Sequence, residues 1–472
     1  VTQARPLAAA PALRPAAVVG FILAFLVIRA FLLAVTTAGE FALYREYAVE
    51  ARDTSLAELH RARDIEYPPL ATLFGVGVLY VADALPEGVE SLTVLRPEPT
   101  RGVDHARYEV ALGLVLFAID VACLLLVHHI ARRIYPDDSA TTYLGRLWLY
   151  VAATTALGLI LYDRQDLVVG FVALLALAAF VRGWGPAAYA VLAAGVAYKL
   201  VPILLVPFWV TAFAVMRASP ATPGRFAWAL ARETIVAGLF LAIVPAIMYA
   251  FCGGERAFVF LTFHSTRGLQ LECSAAWPVL LADPATVVGY GFKSHTLYGE
   301  LSDRVARLTT PVTMLAAVLS FLLAARGFRR AALAPVAPSR NELAAHLVAC
   351  SLLVWIGFIL CTKVGSPQYP LWIAPLVPLV PFRGAQWRWV AVALAAMAAT
   401  TLIFPCQYEQ VRGWPIGDEL RWTGPTPFGF VLLAAKSLLF AASFVWLGAM
   451  VWRARWVTGQ CPMVGPRPQS RA

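Results

Sequence analysis

Long uninterrupted apolar runs constrain this chain more than any motif does. The first, AAVVGFILAFLVIRAFLLAVT, covers 16–36 with a single arginine. A helix of about 20 such residues crosses the roughly 30 Å of hydrocarbon in a bilayer. Similar runs predict further spans at 108–131, 143–161, 166–182, 186–199, 200–216, 227–251, 309–326, 344–362, 370–382, 387–405 and 428–452. Barrel strands would alternate apolar and polar positions, which these runs do not. The expected fold class is all-α, a polytopic transmembrane helical bundle of about 12 spans. The expected domain is a single integral membrane unit over 1–472.

Composition agrees. Hydrophobic residues are 60% of the 472 and charged ones only 14%, more apolar side chain than a soluble domain has interior to hide. The net charge of +10 is distributed loop by loop, so it points to membrane orientation and not to nucleic acid. Seven cysteines at 123, 252, 273, 350, 361, 406 and 461 form no CxxC pair and no His spacing. That pattern reads as buried thiols, with Cys252 and Cys273 the pair whose loop would permit a bridge. The 16–36 run is too long for a signal-peptide core and is expected to stay as the first span.

Arginines such as Arg132, Arg133, Arg146, Arg182, Arg217, Arg225, Arg329 and Arg453 fall in one set of loops, and most acids in the other. Basic loops favour the cytoplasm, so both termini are expected there, in a cell (inner or plasma) membrane. This alternation requires YPPLATLFGVGVLYVADALP to lie along the surface or dip in and out instead of crossing. Four outer segments remain, 37–107, 162–166, 252–308 and 406–427, and function is expected to face outward. Loops 37–107 and 252–308 are long enough to cap a site. Prolines at 202, 207, 370 and 375 predict bent or re-entrant helices there.

Candidate chemistry gathers on those outer segments. TTAGEFALYREY places Glu40 just beyond the first span, with Tyr44 one turn on, and Glu66 follows in IEYPPLA. The short turn YDRQD holds Asp163, Gln165 and Asp166. FHSTRGLQLECSAAW gathers His264, Arg267, Gln270 and Glu272 at the depth of lipid phosphates. Arginine suits that depth because its fork of donors matches phosphate and cannot lose its charge. CTKVGSPQYPLW adds Lys363, Gln368 and Tyr369, and AAGVAYKLVPILLVP adds Lys199 between two apolar runs. Asp120, inside LVLFAIDVACLLL, reads as the partner of a buried basic side chain.

In this order, GEFALYREYA, IEYPPLA, YDRQDLVVGF, AYKLVPILLVP, RGLQLE and KVGSPQYPLW resemble the polytopic GT-C glycosyltransferases, particularly glycosyltransferase family 87. The resemblance runs from about 37 to 380, and it implies transfer of a sugar from a polyprenyl-phosphate donor on the outer membrane face. Mannose is the first expectation for the sugar and a pentose such as arabinose the next. The acceptor would be a glycan, glycolipid or protein, with membrane lipid around it. It departs from the family at Glu40, where members commonly carry Asp, which lengthens the reach of the carboxylate by one methylene.

On this reading Glu40 is the catalytic base, and Glu66, Asp163, Asp166 and Gln165 serve the acceptor or act as auxiliary acids. His264, Arg267, Lys363 and Lys199 would hold the donor phosphate, and Tyr44, Gln270, Glu272, Gln368 and Tyr369 would hold sugar. No cofactor is assigned, and a divalent metal held by the acids at 163 and 166 is left open. No Gly-rich phosphate loop or dinucleotide fingerprint supports a nucleotide-sugar donor. The alternative class is a secondary transporter or lipid flippase, which would set ionisable residues such as Asp120, Lys199 and Lys436 at broken helices.

Overall fold

The computed structural model describes residues 14–36, 41–89, 103–218, 222–263, 266–334, 336–381, 386–416 and 420–453. Helix α1, Pro15–Val35, opens on a proline, whose missing N–H costs nothing in a first turn. Three helices then follow before the next long one: α2 Phe41–Asp53, α3 Leu56–Ala62 and α4 Pro69–Ala84. Ser55 caps α3 by accepting from the Glu58 amide at 3.1 Å. At 16 residues, α4 is about 24 Å long, short of a full crossing.

Helix α5, Val103–Ile134, leads into α6 Ala140–Thr155, α7 Gly158–Leu161, α8 Leu167–Arg182 and α9 Gly185–Tyr198. Where LVPILLVP begins, the α-helix gives way to a 3₁₀ turn, Val201–Leu205, and resumes as α10, Val206–Ala218. Pro202 and Pro207 lack the N–H that an unbroken helix needs. After α11 Pro223–Phe251 and α12 Val259–Phe263 come strand β1 Leu269–Gln270, helix α13 Ala276–Ala282, and strands β2 Val287–Gly291 and β3 Ser294–Tyr298. Helices α14 Glu300–Ala332 and α15 Arg340–Cys361 are next, the second opened by a Ser339–Glu342 capping box. The short α16 Pro370–Ile373 runs into a 3₁₀ segment, Ala374–Leu379, where the prolines were expected to bend the chain. Helix α17 Gln386–Thr401, α18 Tyr408–Arg412, strand β4 Arg421–Trp422 and α19 Pro427–Arg453 complete the described chain.

Eight described helices are long and apolar enough to cross a membrane, with four shorter apolar helices beside them. The protein is therefore an integral membrane protein built of helices. One boundary changes. Helix α14 starts at Glu300, nine residues before the predicted span, and so takes up the end of the supposed 252–308 loop. That loop also holds most of a small four-stranded antiparallel sheet in the order β1-β3-β2-β4, set on a chain that is otherwise helical. The sheet closes over its own small core, in which Leu269, Leu271, Val288 and Leu297 meet Leu433 of α19.

Burial separates the long helices. In its most apolar window α15 is 89% buried and α11 only 11%, so α15 is central and α11 peripheral. Ile235, Leu239, Leu322 and Val445 are exposed on α11, α14 and α19, as lipid-facing side chains must be. Cys252 and Cys273, both buried, are unbridged.

One polar network lies inside the bundle. Arg29 of α1 donates to Asp120 of α5 at 2.7 Å, and both side chains are fully buried. Thr155 accepts from Arg29 at 3.0 Å, and Tyr162 donates to Asp120 at 2.8 Å. Asp120 thus has the basic partner its sequence setting called for. Asp120→Ala leaves Arg29 charged and unpaired, and a loss of about 3–5 kcal/mol is expected. Joint replacement of Arg29 and Asp120 by Met and Leu should be far milder. Thermal unfolding of both variants in detergent checks the difference.

Candidate functional site

A cavity of about 1420 Å³ opens at one end of the bundle. Its wall comes from distant parts of the chain: the α3–α4 connection, the start of the 3₁₀ turn after α9, the strands, the loop after α15, and α18. Six cations line it, Arg164, Lys199, Arg267, Lys293, Lys363 and Arg412, against three acids, Glu66, Glu272 and Glu409. The local balance is positive. Its apolar flank includes Leu200, Ile203, Leu261 and Met314, all exposed.

Lys199 is fixed by the helix break. It caps α9 in extended backbone, and its Nζ donates to Asp166 at 2.6 Å. Trp372 Nε1 donates to the same carboxylate oxygen at 2.5 Å. The ammonium lies 5.5 Å from the Tyr369 ring and 5.3 Å from Trp372, which stack on each other at 4.3 Å. An aromatic cage of this kind holds a cation by the ring quadrupoles while leaving it positive.

The sheet delivers a second cation. Arg267 precedes β1, and its Nη2 donates to the Phe292 carbonyl at 2.6 Å and to Ser294 Oγ at 3.1 Å. Both acceptors lie at the tip of the β2–β3 hairpin, where Phe292 and Lys293 adopt φ of 52° and 58°. Lys293 reaches across to donate to the Tyr47 hydroxyl of α2 at 3.0 Å. Beside them, burial and the nearby Arg267 charge push the Lys363 ammonium below its usual range.

Close backbone packing holds Lys363 there. The Gln270 amide donates to the Lys363 carbonyl at 2.9 Å. A Cβ on Gly365 would come within 2.2 Å of the Cys273 backbone, so only glycine permits this approach. Gln270 and Gln368 each keep a buried side-chain oxygen without a hydrogen-bond partner in the cavity wall. Buried acceptors of that sort are unusual and suit a ligand that donates hydrogen bonds.

His295 of β3 also lines the cavity. Its Nδ1 lies 3.0 Å from the Tyr408 hydroxyl, and its ring packs against Trp422 at 4.5 Å. Burial, helped by the Arg412 charge, lowers its pKa to about 4. Burial and then the neighbouring Glu272 carboxylate raise the Tyr408 hydroxyl, which is hydrogen bonded to that carboxylate.

Of the residues singled out in the sequence, Glu66, Lys199, Arg267, Gln270, Glu272, Lys363, Gln368 and Tyr369 line this one cavity. Glu40 and His264 lie outside the described residues. Three assignments change because their side chains stand behind the wall: Asp166 holds Lys199, Asp163 lies 2.8 Å from Arg164, and Gln165 accepts from Tyr198 at 2.9 Å. Both acids are thus engaged by cations. Among the described residues, no three His, Cys, Asp or Glu gather as metal ligands. Tyr44 is buried in the core, edge-on to Tyr67 at 5.8 Å, and does not line the cavity. Lys293, His295, Tyr408 and Arg412 were missed, although the alternation in GYGFKSHTLY signals a hairpin.

No family model and no curated protein matches the chain.

His295 gives a pH dependence. Its folded pKa of about 4 lies below the ordinary 6.5, so between those values the unfolded chain binds the proton and the folded one does not. Stability therefore falls as pH drops from 6.5 towards 4. Melting temperatures of the wild type and of His295→Gln across that window check this, and the variant should show the shallower slope.

Proposed function

We propose that this protein is a membrane glycosyltransferase that takes a sugar from a polyprenyl-phosphate donor and places it on a hydroxyl-bearing acceptor. What carries the reading is a single cavity that combines a cationic wall, buried hydrogen-bond acceptors and an apolar flank. A lipid-linked sugar phosphate presents the three matching parts. Its phosphate answers Arg267 and Lys363, its hydroxyls answer Gln270 and Gln368, and its prenyl tail answers the surface around Ile203 and Met314.

Transfer needs a base for the acceptor hydroxyl and stabilisation of the departing phosphate. Glu40 remains the proposed base from its motif, and Glu66 is the carboxylate of the same loop that lines the cavity. The acceptor oxygen attacks the anomeric carbon, its proton passes to the carboxylate, and the phosphate leaves towards Arg267 and Lys363. Direct displacement inverts the anomeric centre. Mannose is the proposed sugar and a pentose the next choice. The site faces outward in the proposed topology, with both termini cytoplasmic.

A transporter reading draws on one observation, the Lys199–Asp166 pair at the α9 break. Transfer by purified protein in detergent, with no gradient, separates the two classes.

Incubation with a panel of polyprenyl-phosphate sugars, followed by mass analysis of products, tests the proposal. Glu40→Gln should slow transfer by about 10²–10⁴-fold. Lys363→Met should raise the donor KM about tenfold, the effect of losing one charge-assisted hydrogen bond. Near-normal turnover in a folded Glu40→Gln protein would remove Glu40 as base. No transfer from any donor would remove the enzyme reading.

A further inference from the structure

A second cationic site lies far from the cavity. Helices α8 and α15 each have one end near the cavity: Asp166, which anchors Lys199, immediately precedes α8, and Lys363 follows α15. Their other ends carry Arg182 and Arg340, and the C-terminal turns of α5 carry His129 and Arg133. With 22 residues, α15 sets these two regions about 33 Å apart, the width of a bilayer core.

The far-end cations are neighbours. Arg340 Nη1 donates to the Val181 carbonyl in the last turn of α8 at 3.4 Å, and its guanidinium lies over Gly183. Arg133 interacts electrostatically with both Arg340 and His129, and Arg182 with His129. Among the described residues, none of Arg133, Arg182 and Arg340 forms an ion pair. Two acids at that end of the bundle are engaged elsewhere: Asp138 with Arg146 at 2.6 Å, and Glu342 in the α15 capping box.

Basic residues at one end of a membrane bundle are ordinary, because they set its orientation. Such residues normally reach into water. Here Arg133 Nε, Arg340 Nε and His129 Nε2 are buried and have no hydrogen-bond partner. Three nitrogens shielded from solvent, grouped around Arg133 and without an acceptor among the described residues, call for a ligand that brings both oxygens and negative charge. We propose that the far ends of α5, α8 and α15 form a phosphate-binding site, filled by an anionic lipid headgroup or by a free phosphate. At headgroup depth a phosphodiester would meet guanidinium groups from two helices and brace the bundle at the leaflet opposite the cavity. The site is independent of the proposed transfer reaction.

The experiment compares delipidated protein in nanodiscs of phosphatidylcholine alone, in nanodiscs with added phosphatidylglycerol, and in neutral detergent with inorganic phosphate. Melting temperature and native mass spectrometry are the readouts. Phosphatidylglycerol should raise the melting temperature by several degrees and remain bound in the spectrometer. The Arg133→Gln, Arg340→Gln double variant should lose that rise and retain lipid about tenfold less. A second double variant, Arg225→Gln with Arg329→Gln, removes equal charge from exposed positions at the same end and should behave as wild type. If the first double variant does not fold, the exposed Arg182→Gln replaces it and should show part of the loss.

A rise with inorganic phosphate alone identifies a soluble phosphate as occupant of the same site. No response to either ligand, or equal loss in both double variants, overturns the proposal.

Discussion

The arrangement of the cavity depends on the ion pair between Lys199 and Asp166. An ammonium and a carboxylate 2.6 Å apart would be worth little in water, but this carboxylate is almost completely buried and also accepts from Trp372. Three segments meet on that one oxygen: the start of α8, the break after α9, and the turn that opens α16. The pair fixes the segments together, and Tyr369 and Trp372 complete the cage.

The sheet performs the matching task on the opposite wall. It is too small to stand alone, and its strands borrow Leu433 of α19 to close their core. In return it carries Arg267, Gln270 and His295 to the rim. Gly365 lets the loop after α15 lie against β1, and so Lys363 and Gln368 join residues almost a hundred positions earlier in the chain. Cavity chemistry is thus assembled from tight backbone approaches as much as from side-chain contacts.

Much of this was legible in the residues. Continuous apolar runs gave the membrane class, prolines marked the helix breaks at 201–205 and 374–379, and a lone aspartate in an apolar run implied the partner found in Arg29. Clusters of cations and amides around 267–272 and 363–369 also pointed to cavity residues, because they fall at the depth of lipid headgroups beside apolar runs. What stayed hidden was tertiary. Whether Asp163, Gln165 and Asp166 face the cavity or stand behind it depends on helix rotation, which a short turn does not encode. Strand pairing was hidden too, since β1 and β4 are two residues long, and β4 is held by a strand more than a hundred positions earlier. Tyr44 misled for a related reason: half of its helix faces the core, and sequence alone does not say which half.

The hairpin tip gives up local comfort. Phe292 and Lys293 both sit in left-handed backbone, where glycine or asparagine would rest more easily. Their side chains explain the choice, since Phe292 packs edge-on to Phe263 at 6.0 Å while Lys293 spans to Tyr47. A tip built this way leans on α2 and α12 as well as on Arg267. The rim of the cavity is thereby tied to the helices beside it, so a shift of either helix is passed to the tip through a ring contact or an ammonium–hydroxyl hydrogen bond.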